Sequence, residues 1–189
     1  MAITKVSMSN DALLEIGAQM ITSMTEDSEP ARLCNHLFDE LMDQELQLEN
    51  WSFAMERKQL ARLTEDPDFG WTYQFALPAN PWCLQVKEEY NENDFKVEGR
   101  KLLSDAATIQ IIYIKRVTDY NELSPLFRRA FKFKLSSILA IPLQGSRSMK
   151  EGMEQIYELW FRRAQFRDAQ GGGTPPAAAE GSWRSARDS

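Results

Sequence analysis

The chain holds one histidine, His36. An imidazole does general-base work only beside a nucleophile or a metal. His36 has no serine or cysteine at a recognised motif spacing, so it is expected to be an exposed or capped helical residue. Asp39, Glu40 and Asp43 form an acidic cluster in which Asp39 and Asp43 share one helix face at i, i+4. Such carboxylates can hold Mg2+ or Ca2+, but no EF-hand spacing or HExxH accompanies them, and a solvated helix surface is the simpler account. The triple glycine at 171–173 follows a helical pattern and precedes none, which makes it a linker rather than a phosphate cradle. No nucleotide-binding glycine motif occurs. The expectation is a chain without catalytic residues, metal or cofactor.

The basic residues are more informative. Arg128, Arg129, Lys132 and Lys134 interrupt an otherwise apolar helix. They suit pairing with acidic groups of the same chain or of a neighbouring subunit, phosphate, or plain solvation. Arg162, Arg163 and Arg167 crowd the end of the last helix, where cations oppose its dipole. Trp51, Trp71, Trp82 and Trp160 suit core or interface anchors better than a base-stacking platform.

The totals restrict what these residues can serve. With 28 acidic against 22 basic residues among 189, the net charge is −6, a poor basis for sequence-independent DNA binding. Cys34 and Cys83 lie far apart and form no CxxC, which suits reduced, buried thiols in a cytosolic product. No apolar run is long enough for a membrane-spanning helix, and the N-terminus lacks the pattern of a signal peptide.

The elements that position these groups follow from periodicity. A helix is expected over about 9–21, capped by Ser9 or Asn10, and a second over 28–48, capped by Ser28 with Pro30 in its first turn. After Trp51 the period shortens. Trp71-Tyr73-Phe75, Cys83–Val86, Phe95–Leu103 and Thr108–Val117 predict four strands of one antiparallel sheet, within an insertion over about 51–118. Ser124-Pro125 opens a helix to about 141, ended by Pro142 and Gly145. It carries one apolar stripe at Leu126, Ala130, Phe133, Ser137 and Ala140, and another at Phe127, Phe131, Leu135 and Ile138. Two stripes require packing on two sides. A last helix over 148–169 has Met149, Met153, Ile156, Trp160 and Ala164 on one face. From 171 to 189 the composition suits a flexible C-terminal tail with Trp183 as its only large apolar group. The expected class is α+β: a four-helix bundle over 1–170, with the antiparallel sheet inserted between the second and third long helices.

Several of these segments, in this order, resemble one family. They are Ala12-Leu13-Leu14-Glu15-Ile16-Gly17-Ala18, Ala31-Arg32-Leu33-Cys34 and Asn50-Trp51-Ser52-Phe53-Ala54 with Arg57. Phe69-Gly70-Trp71, Ala76-Leu77-Pro78, the Tyr113 to Ile141 strand-to-helix block, and Ala164 with Asp168-Ala169-Gln170 continue the series. The chain resembles the head-to-tail adaptor (tail tubular protein A-like, connector or gatekeeper) family of short-tailed bacteriophages. It departs from the family pattern at residues 79–85, which lack the usual arginine, and in the tail. The resemblance implies a virion structural protein at the neck, made in the host cytoplasm. It implies a homo-oligomeric ring, commonly of twelve copies, joining the portal protein to the tail nozzle protein, with viral DNA passing through the channel without sequence-specific binding and no membrane contact. The candidate subunit or portal interface is Phe127, Arg128, Arg129, Phe131, Lys132, Trp160, Arg163, Arg167 and Trp183. Without the resemblance, the alternatives are a head completion or stopper connector of another tail type, or a monomeric intracellular binding module.

Overall fold

The computed structural model describes residues 2–171; Trp183 and the rest of the expected tail lie outside them. Among the described residues the protein is α+β. Its four helices are α1 (Lys5–Glu15), α2 (Glu29–Gln47), α3 (Pro125–Gln144) and α4 (Arg147–Gly171). Six strands separate α2 from α3: β1 (Met55–Gln59), β2 (Tyr73–Ala76), β3 (Cys83–Glu89), β4 (Phe95–Glu98), β5 (Lys101–Ser104) and β6 (Gln110–Lys115). No helix among these residues is long and apolar enough to cross a membrane.

Local chemistry explains the helix ends. The Ser28 and Ser124 hydroxyls accept from Ala31 N at 3.3 Å and Phe127 N at 3.2 Å, each with a proline in the first turn. α3 runs through Pro142 and stops at Gly145, whose φ of +63° suits a residue without Cβ. The first helix corrects the expectation of 9–21. Thr4 and Ser7 form a reciprocal capping box that starts α1 four residues earlier than Ser9. Gly17 at φ +66° ends it, with Ala18 N donating to Leu13 O at 2.9 Å. Asn10 is no cap. Its amide ties the following segment down, accepting from Ile21 N and donating to Ile21 O, both at 2.8 Å.

The sheet expectation is corrected as well. Two three-stranded antiparallel sheets form, in the orders β1-β6-β3 and β2-β5-β4. The single strand expected over Phe95–Leu103 is the β4–β5 hairpin, because Gly99 at φ +58° reverses the chain. β1 pairs with β6 from Met55↔Ile114 to Gln59↔Gln110.

The main core joins α1, α2 and α3 to the 51–54 turn and to Ile114 and Val117 of β6 and its exit. Trp51 is its centre: fully buried, edge-on to Phe127 at 5.0 Å and to Phe161 at 5.4 Å. Aromatic pairs of this geometry add about 0.5–1.5 kcal/mol each beyond their buried area. A second core, around Phe75, Leu102, Ile109, Ile111 and Tyr113, lies with the sheets. α3 packs against α1, α2 and α4. Both of its apolar stripes are thereby used. Phe127, Phe131 and Leu135 belong to the main core, while Ala130 and Phe133 meet Tyr157 of α4.

Candidate functional site

A two-residue connection, Gly145-Ser146, turns α3 into α4, and the Ser146 hydroxyl accepts from Met149 N at 3.2 Å. The sequence pattern put Ile156 on the packed face of α4. Met149, Met153, Trp160 and Ala164 do pack against the cores, but the face is rotated slightly toward Tyr157, which is buried, while Ile156 is 36% exposed. Aromatic residues at 157 and 161, one turn apart, are the signal for that rotation. Inward, the Tyr157 hydroxyl donates to buried Glu45 at 2.7 Å, and Gln165 donates to Glu49 at 2.9 Å. Asp168 accepts from Ser52 N at 2.8 Å and from the Ser52 hydroxyl at 2.7 Å. α4 is thus tied to the end of α2 and the turn after it.

Glu45 is a buried carboxylate, 2% exposed. Burial pushes its carboxyl up from the ordinary value, and the Tyr157 hydroxyl and Lys134 pull it part of the way back. Tyr157 is also pushed up, first by burial and then by its bond to Glu45. Burial likewise raises the free thiols Cys34 and Cys83, both of them buried.

Outward, Trp160 stacks between two guanidiniums, Arg129 of α3 at 3.8 Å and Arg163 of α4 at 4.7 Å from the ring centroid. Stacking of this kind at exposed sites contributes about 0.5–1 kcal/mol. Arg128 donates to Leu123 O at 3.0 Å, and Lys132 pairs with Glu15 at 2.6 Å. Lys134 lies over the Tyr157 ring at 4.9 Å. The basic run of α3 therefore has partners within the chain.

No protein-family model matches this chain, and no curated protein matches it.

The structure brings Arg129, Trp160 and Arg163 together on the exterior of α3 and α4, with exposed Arg167 one turn further along α4, while Arg128 and Lys132 are half-buried on the side of α3 that faces α1. It does not bring Phe127 and Phe131 there. Each is 1% exposed and enclosed in the main core, so neither can serve a neighbouring subunit. The reason is that α3 is covered on both stripes by helices of its own chain. Trp183 lies outside the described residues. Two exposed apolar residues were missed: Leu159 at 49% and Phe166 at 68%. Their signal was available, since 159, 163 and 166 fall on one helical stripe opposite Tyr157 and Ala164. His36 is exposed, and the acidic cluster of α2 is engaged by cations, Asp39 by Lys5 at 2.8 Å and Asp43 by Arg116. Guanidinium, indole and aliphatic groups on one helical face suit recognition of an acidic, partly apolar protein surface.

Proposed function

We propose that this chain is a structural head-to-tail adaptor of a bacteriophage virion, a ring-forming subunit that joins portal to tail nozzle around the DNA channel. In this reading the four helices act as one bundle, the two sheets are its insertion, and the role involves no catalytic step. One observation carries it. Three segments that resemble the adaptor family, far apart in sequence, converge at one junction. Trp51 of the Asn50–Ala54 run meets Phe127 of the strand-to-helix block at 5.0 Å. Ser52 of the same run bonds Asp168 of the closing helix at 2.8 and 2.7 Å. Residues behind the resemblance are thus among those that knit this fold together, which supports the reading. The exposed Leu159 and Phe166 add support, because they form an apolar strip on the outer face of α4 of the kind a neighbouring copy covers.

The monomeric binding module has one observation in its favour: both apolar stripes of α3 are satisfied within the chain. Sedimentation velocity of the purified full chain over a wide concentration range separates the two. The adaptor reading expects a discrete closed oligomer at high concentration. A single monomeric species throughout supports the module.

A further inference from the structure

The outer face of α4 presents Leu159 and Phe166 beside exposed Arg162 and Arg163. Arg162 has only a 3.6 Å contact with Glu158 on its own helix, and Arg163 rests on Trp160. This is a basic and apolar surface, and its complement is an acidic and apolar one.

The same chain carries such a surface on its β3–β4 turn. β6 leaves the sheets toward the helices, where Val117 joins the main core. Its first residue, Gln110, is roughly 20 Å away by strand rise and accepts from Tyr90 N at 2.8 Å, beside the β3–β4 turn. There Tyr90 is 64% exposed among exposed Glu88, Glu92 and Asp94. None of those three carboxylates is in an ion pair among the described residues. The turn is rigidly organised: the buried Glu89 carboxylate accepts from Asn91 N at 3.0 Å, Asn93 N at 2.8 Å and Gln110 N at 3.2 Å. The acidic face of α2 is a weaker complement, because Asp39 and Asp43 are already paired with Lys5 and Arg116.

We propose that the occupant of the outer face of α4 is a second copy of this chain, which seats Tyr90 of its β3–β4 turn on Leu159 and Phe166 and sets Glu88, Glu92 and Asp94 against Arg162 and Arg163. The two patches lie on different elements of one protomer, α4 and the β3–β4 turn, and Leu159, Phe166 and Tyr90 are all exposed, so neither patch covers the other within it. Within the ring reading the contact is heterologous, and it propagates from copy to copy until it closes. It rests on the ring reading and names the faces the ring uses.

The test uses the full chain at low salt, with mass photometry and sedimentation as readouts. R162E/R163E and E92K/D94K each weaken self-association by about tenfold or more, the scale for reversing two exposed charges. Mixing the two variants restores it, because each reversed patch then meets its complement. Glu92→Gly serves as a folding control. Glu92 has φ +59°, a conformation glycine adopts freely, so this variant keeps the turn while removing a charge, and it weakens association less than E92K/D94K does. An oligomer indifferent to both reversals, or variants that do not rescue each other, overturns this contact and leaves the ring standing. A parent chain that stays monomeric at every concentration overturns the ring and this contact together.

Discussion

Trp51 and Tyr113 are both fully buried aromatic residues with a polar atom, one in the helical half and one between the sheets. The Trp51 indole donates to Glu45 O at 3.1 Å. The Tyr113 hydroxyl has no partner among the described residues, and burial pushes it up to about 12. The contrast extends through both regions. In the helical half, ties span most of the chain: Ser52 to Asp168, Glu45 to Tyr157, Ser136 to Ala12 O at 2.9 Å. In the sheet half the ties stay within the insertion: Thr72 bonds Asp105, β1 pairs with β6 from Met55↔Ile114 to Gln59↔Gln110, and Glu89 holds its own turn. The difference teaches that the helical half is braced by side-chain bonds from early to late segments of the chain, and the sheet half by backbone ladders and turns internal to the insertion.

The largest test of that contrast is at the junction. Trp51→Ala removes the centre of the aromatic cluster and is expected to destabilise the protein by about 3–5 kcal/mol, measured by denaturant unfolding. Asp168→Ala cuts the charge-assisted tie between the turn after α2 and the end of α4, with an expected loss of about 1–3 kcal/mol. Tyr157→Phe leaves the Glu45 carboxylate buried without its donor, with a loss on the same scale of about 1–3 kcal/mol, larger at neutral than at acidic pH.

Glu45 gives the contrast a pH signature. Its folded pKa lies above the unfolded one, so on raising pH the unfolded chain releases this proton first. Stability from this group is therefore present at acidic pH. It falls by up to about 1.4 kcal/mol per pH unit between the unfolded value of about 4.3 and the raised folded value. Glu45→Gln removes that slope. Unfolding curves of the variant and parent across this range should diverge with rising pH, the variant becoming relatively more stable. A constant difference contradicts the buried carboxylate. The smallest expected effect is in the sheet half. Tyr113→Phe removes an unpartnered hydroxyl and should leave stability unchanged or raise it by up to about 1 kcal/mol. A loss beyond that would reveal a partner for the phenol.

The helices were legible where chemistry at their ends is local. Ser28 with Pro30, Ser124 with Pro125, and Gly145 announce themselves. α1 was misplaced because Ser9 and Asn10 look like caps, while the Thr4–Ser7 box that governs it is a reciprocal pair three residues apart. β1 has no β-branched residue, and its Met-Glu-Arg-Lys-Gln sequence forms a strand because β6 offers it a partner. The division into two sheets depends on which strands find one another, which no single segment encodes. The candidate site was half legible. Arg129, Trp160 and Arg163 were recognisable as residue types worth following, and they do come together. Phe127 and Phe131 misled because a doubly apolar helix signals burial on both sides without saying whose residues cover it.

The central claim is that this chain acts as one member of a collar around a genome. Cryo-electron microscopy of intact virions that carry it tests this most directly. The account predicts rotationally symmetric density at the head-to-tail junction into which many copies of the α1–α4 and β1–β6 fold dock around an axial channel, with Leu159 and Phe166 covered by the adjoining copy. Particles in which the chain is absent from that junction, or present there as isolated single copies, contradict it.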